Sequence, residues 1–155
     1  MKKRMKITMK GLALFFILLS ASLSCSIENE VPNQPGIKVK PTDKLLTTEY
    51  GGVDRFSVVL KTKPSAEVTI RLNCNDTTEA TLSVTSLVFT SDKWNKPQMV
   101  IITGVDDAVA DGNKVCYINT APAVSTDPEY NGVDTDDVMF TNVDNDEHGI
   151  TFWKW

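Results

Sequence analysis

The strongest constraint on this fold is a two-residue rhythm. Along 55–60 the apolar side chains are Phe56, Val58 and Leu60, and along 67–74 they are Val68, Ile70, Leu72 and Cys74. Successive side chains of a strand point to opposite faces, so each set marks one buried face of a β-strand. Shorter β-rich segments follow at 81–84, 87–90, 99–103, 115–120 and 138–143. The breaks carry turn residues: Gly51-Gly52, Lys63-Pro64, Asn75-Asp76, Asn95-Lys96-Pro97, Asp111-Gly112 and Asn131-Gly132. No stretch from Gly36 onward repeats apolar residues at helical spacing over ten positions. About seven strands at this spacing predict an all-β, immunoglobulin-like antiparallel β-sandwich. Trp94, in SDKWNKP, is expected to plug one end of it.

The formal charge of −4 hides a strong asymmetry. Five of the 16 basic residues precede Gly11, leaving 11 basic against 20 acidic side chains from Cys25 onward. Such a surface repels nucleic acid and anionic lipid, and it attracts cations. The basic start leads into an apolar run, 11–19, and a small-residue patch, 20–24, too short together to span a bilayer. Residues 1–24 therefore read as a secretion signal. The context SASLSCS resembles a bacterial lipoprotein cleavage site, which implies lipidation of Cys25 and an exported protein held by its N-terminal lipid on a bacterial outer membrane or cell surface. An ordinary signal peptide, leaving Cys25 a free thiol, is the alternative. Residues 26–35, with two prolines and few apolar groups, read as a tether reaching at most about 35 Å.

Two stretches, Thr103 to Gly112 (TGVDDAVADG) and Val143 to Ile150 (VDNDEHGI), begin where apolar runs end and carry closely spaced carboxylates. Carboxylates gathered at strand ends repel one another unless a cation sits between them. Calcium accepts six to eight oxygens from such clusters. Ordinary solvated turns are the competing explanation, since Asp and Asn suit turns for backbone reasons alone.

The order GIKVKPT, TTEYGG, NDTTEATLSVTSLVFTSDKWNKPQ, VDDAVADG, DPEYNG and VDNDEHGI resembles the Calx-β-type repeats of bacterial surface and secreted proteins. These are related to the calcium-binding domains of the sodium–calcium exchanger. The resemblance covers 36–150 and implies a sandwich domain over 36–148. It also implies Ca2+ ligands at Glu49, Asp76, Asp106, Asp107, Asp144 and Asp146, with Asp111 a looser match, all meeting at one end. Asn145 stands where exchanger-like domains carry a further Asp, so the site holds less negative charge. Gly36-Ile37 recurs as Gly149-Ile150, so 149–155 reads as the stub of a following repeat or a C-terminal tail. Its Phe152, Trp153 and Trp155 would either pack back on the sandwich or meet a partner.

With Cys25 acylated, Cys74 and Cys116 remain an even pair on inward-facing positions, and the fold implied by the resemblance makes their strands antiparallel neighbours. They would form either a disulfide or two buried thiols. Catalysis has little support: His148 stands in the acidic tail, and GxSxG is absent. The function expected is a non-enzymatic, calcium-binding adhesive or structural module, engaging a host, matrix or neighbouring surface protein. A metal-free acidic protein-binding module is the second expectation, and an accessory domain of a carbohydrate-active protein the remote one.

Overall fold

The computed structural model describes residues 34–146; Cys25, the leader, most of the tether, His148 and the C-terminal aromatic residues lie outside them. Ten strands are present in this span: β1 (Ile37–Lys40), β2 (Leu45–Thr48), β3 (Val53–Leu60), β4 (Val68–Cys74), β5 (Ala80–Leu82), β6 (Ser86–Phe89), β7 (Gln98–Gly104), β8 (Lys114–Thr120), β9 (Val124–Ser125) and β10 (Val138–Val143). They form two sheets, one ordered β1-β3-β7-β5 and the other β2-β10-β8-β4-β6, with β9 also on β4. The arrangement is an all-β sandwich.

The alternation read from the sequence is what builds the core. Phe56, Val58 and Leu60 of β3 and Val68, Ile70, Leu72 and Cys74 of β4 are all buried. They meet Val100 and Ile102 of β7, Cys116 and Ile118 of β8, and Val138 and Phe140 of β10. Each large apolar side chain taken from water in this way contributes roughly 1.5–3 kcal/mol. Trp94 is partly buried against this core, as expected.

The structure has more strands than the seven expected, and one pair runs parallel. The segment before β3, not read as strand from the sequence, supplies two: β1 lies antiparallel to β3 in one sheet, while β2 crosses to the other and runs parallel to β10. Pro41 separates them; lacking an N–H, it cannot continue a ladder. Register then fixes the poles of the molecule. β3 starts, and β4, β7 and β10 end, at the same pole where β8 begins. That pole receives Glu49, Asp76, the loop 105–113 and residues 144–146.

Candidate metal centre

Glu49 directly follows β2, and its N–H donates to Val143 O of β10 (3.1 Å), so the parallel β2–β10 pairing carries Glu49 to the end of the last strand. Asp144 and Asp146 leave β10 there. Their backbone is shaped by short bonds: Asp144 N–H donates to Asn113 Oδ1 (3.1 Å), and Asp146 N–H to Asp144 Oδ1 (2.6 Å). Gly112, at φ 79°, takes a backbone form that L side chains seldom adopt, and its N–H donates to Asp144 Oδ2 (2.6 Å). The loop after β7 is thereby tied to the end of β10.

One carboxylate oxygen from each of Glu49, Asp144 and Asp146 lies within 4.8 Å of the other two. Oxygens bound to one calcium sit about 2.3–2.6 Å from it, so two on opposite sides are about twice that apart. The observed spacing therefore suits three oxygens sharing one ion. Two oxygens of this segment, Asn145 Oδ1 and Asp146 Oδ2, are buried without a hydrogen-bond partner. Both are acceptors, and a buried acceptor without a donor is costly. An all-oxygen donor set with unsatisfied acceptors suits a hard cation; a soft metal would call for thiolate or imidazole.

The electrostatics agree. Glu49 is 3% exposed, and burial pushes its carboxyl above the ordinary range; the Asn145 N–H (3.2 Å to Oε2) offsets this in part, while Asp144, Asp107 and Glu79 add to it. Burial likewise raises Asp146, followed by the charges of Asp144, Asp106, Asp107 and Asp111. Like charges are held here against their repulsion.

The other expected ligands lie at the same pole but have different partners. Asp106 Oδ1 accepts from Asn145 Nδ2 (3.3 Å), which fixes Asn145. Asp107 Oδ1 accepts from Val109 N–H (2.7 Å). Asp111 pairs with the Lys114 ammonium (3.0 Å). Asp76 does not join the trio: its Oδ1 accepts from Thr78 N–H (3.0 Å) and Thr78 Oγ1, and those bonds lower its pKa. The expectation that all seven carboxylates surround one ion thus narrows to three that meet, with Asp106 and Asp107 beside them.

Sequence reasoning missed Glu79, Asn142 and Thr47, all buried. Thr47 Oγ1 donates to Asn142 Oδ1 (2.8 Å), and Asn142 Nδ2 donates to Glu79 O (3.0 Å) and Oε2 (3.1 Å). This polar plug backs the acidic pole and joins the two sheets. Gly104, at the end of β7, fits against it so closely that a Cβ would collide with Thr48 O and come within 2.5 Å of Asn142 Oδ1. An Asn and a Thr on inward positions at a strand end were the available signal.

Of the two alternatives for the cysteines, the structure has the buried thiols: Cys74 and Cys116 are unbonded. Cys74 stands opposite Ile118, so Cys116 is two residues off register. Diagonal neighbours lie about 7–8 Å apart, beyond the roughly 3.5–4.5 Å between the Cβ atoms of a disulfide. Cys74 Sγ instead donates to Asp76 O (2.9 Å), and burial pushes the Cys116 thiol up to about 11.

No family profile and no curated protein matches the sequence. Among solved structures, the fold is similar to the apo form of the Calx CBD1 domain (TM-score 0.55, 17% identity, 73% of this chain and 99% of that one). It is also similar to the periplasmic chaperone SfaE (TM-score 0.54, 9% identity, 71% of this chain) and to CBD12 from CALX1.2 (TM-score 0.51, 17% identity, 70% of this chain). The chain spans 58% of the length of that chaperone and 44% of that CBD12. At these identities the likeness is one of fold: a β-sandwich similar to that of the Calx CBD1 domain.

Proposed function

We propose that this domain binds one calcium ion between Glu49, Asp144 and Asp146, with Asn145 Oδ1 as a further oxygen, and that the ion is structural. The observation that carries the proposal is that carboxylate oxygens of three residues lie within 4.8 Å of one another, where Asp146 Oδ2 and Asn145 Oδ1 are buried without partners. The fold adds support, because the calcium binding domain CBD12 of CALX1.1 has a similar fold (TM-score 0.50, 17% identity). When bound, calcium would neutralise the repulsion that raises Glu49 and Asp146. The chain's own residues hold the site open for it: Gly112 N–H and Asn113 fix Asp144, and Asp106 orients Asn145.

The sequence supports a reading of the surrounding biology. The leader and the SASLSCS context support an exported lipoprotein anchored through Cys25, and the acidic surface supports a non-enzymatic adhesive or structural module for a host, matrix or neighbouring surface protein. Extracellular modules bind calcium at about 10⁻⁴–10⁻³ M. At tenfold excess over its dissociation constant the ion stabilises the fold by about 1.4 kcal/mol. The test is the melting temperature in millimolar calcium against chelator, for the wild type and for Glu49→Gln combined with Asp144→Asn. A calcium-dependent rise is expected only in the wild type. No rise in the wild type would favour the metal-free acidic protein-binding module. Mass spectrometry of membrane-extracted protein tests Cys25: an unmodified thiol there removes the anchor.

A further inference from the structure

The excess of acid is not spread evenly over the domain. In the sheet β1-β3-β7-β5, Ile37, Val39, Phe56 and Val58 are buried, so Lys38, Lys40 and Arg55 take outward positions. Lys61 extends the β1–β3 ladder on the same side: its N–H donates to Gly36 O (2.8 Å), and its stem lies along Gly36. Ser57 stands between Lys40 and Met99, and Arg55 stands opposite Ile101. The basic side chains are thus flanked by two exposed apolar ones, Met99 and Ile101. No carboxylate occupies an outward position of these four strands. Asp54, their one acid, belongs to the inward set of β3 and accepts from Leu46 N–H (2.9 Å). The segment that runs back to Cys25 joins this same sheet at Gly36, directly before its edge strand β1.

We infer that this face lies against the membrane, with Lys40, Arg55 and Lys61 on anionic lipid headgroups, while the outer face of the other sheet looks away. Basic and apolar side chains side by side are what a surface at the headgroup boundary needs. Charge is felt over about 10 Å at 0.1 M salt, and packed sheets are themselves about 10 Å apart. The face in contact therefore sets the sign of the interaction, and the repulsion of anionic lipid expected from the net charge belongs to the acidic pole and the loops. Each basic side chain brought to an anionic leaflet favours the contact about fivefold. A ten-residue tether, at most about 35 Å long, keeps the face within reach. The lipid holds the domain near the membrane, and the face decides how it stands there.

This inference rests on the lipid anchor proposed above, and the test separates the two. Membrane-extracted protein is reconstituted into vesicles of phosphatidylcholine, with or without phosphatidylglycerol, whose headgroups carry a nitroxide quencher. A fluorophore is placed on Met99→Cys, on the basic face, or on Val115→Cys, which is exposed on the other sheet. In phosphatidylglycerol vesicles the probe at 99 is expected to be quenched more than the probe at 115. That preference should be lost in phosphatidylcholine alone, in high salt, and in Lys40→Gln combined with Arg55→Gln and Lys61→Gln. Arg71→Gln combined with Lys114→Gln, which removes charge elsewhere, should keep it. Lys40→Gln with Lys61→Gln replaces the triple variant should that one fail to fold. Quenching that is absent, equal at the two positions or stronger at 115 would overturn the inference while leaving the anchor standing. A preference that survives the triple substitution would overturn the role of the basic side chains. Protein that carries no lipid on Cys25 and does not stay with the vesicles would remove the anchor, and the inference with it.

Discussion

Two carboxylates at opposite poles are equally buried and are shifted in opposite directions. Asp127 and Glu49 are each 3% exposed. Asp127 lies at the pole where β3 ends and β4 begins, and its oxygens accept from Ser65 N–H (2.7 Å) and Glu129 N–H (2.9 Å), which lower its pKa. Glu49 has one N–H donor and several carboxylates for neighbours, and its pKa is raised. Burial alone therefore does not set the sign; the partners do. One pole is complete with protein groups, and the other is short of positive charge. The proposed calcium site lies at the second of these poles.

The largest effect is expected from Gly104→Ala, which drives a methyl into Thr48 O and Asn142 Oδ1, behind the acidic pole. Both neighbours are held by the β2–β10 pairing, so relief requires the sheets to part. Urea unfolding should show a loss of about 3 kcal/mol, the upper end for overpacking. A loss under about 1 kcal/mol would mean that the pole is looser than its hydrogen bonds imply.

Tyr130→Phe probes the completed pole. The Tyr130 hydroxyl is buried, donates to Thr62 O (2.7 Å), accepts from Thr62 N–H (3.0 Å) and also bonds Thr62 Oγ1 (2.8 Å). Removing it leaves Thr62 groups unpaired, at a cost of about 1–3 kcal/mol measured in the same way. The cost should not depend on calcium, since β3 and β4 separate this residue from the acidic pole.

How far these poles were legible in the sequence follows the range of the forces involved. Alternation over Phe56–Leu60 and Val68–Cys74 is local, and it marked both strands within about two residues. β1 and β2 have four residues each, too few to declare a period, and their division between sheets depends on partners about 20 and 100 positions away. The resemblance named Glu49 and Asp144 together, and their carboxylates lie at one end of the sandwich. Asp76 carries the same letters as a ligand but is used as a turn, because Thr78 is within reach of its own carboxylate. Glu79 stands inside the NDTTEATLSV stretch but has no ligand role in the resemblance; it is buried because Asn142 receives it.

Acid sharpens the contrast. Asp127 has a lowered folded pKa, so its contribution to stability is full above the ordinary carboxylate range and is lost as pH falls through the lowered value. Asp127→Asn loses that contribution at neutral pH and should flatten the acid limb of a plot of melting temperature against pH. An unchanged acid limb would place the titrating group elsewhere.

Glu49→Gln should have the smallest effect and the opposite sign. A raised carboxyl pKa means that the folded state holds its proton more tightly than the unfolded chain does, so that contribution is present at low pH and is lost as pH rises through the raised value. At neutral pH and in chelator, the ionised Glu49 therefore opposes folding. A neutral amide of nearly the same shape removes the charge and keeps an oxygen that can accept the Asn145 N–H. The metal-free variant should melt slightly above the metal-free wild type at neutral pH, and the gap should close on acidification as Glu49 itself becomes neutral. Calcium should reverse the order, because the wild type gains an ion whose ligand set the variant has weakened. A variant that melts lower in chelator at neutral pH would show that the Asn145 bond outweighs the crowding of Asp144, Asp107 and Glu79, and that the two poles are less different than their partners indicate.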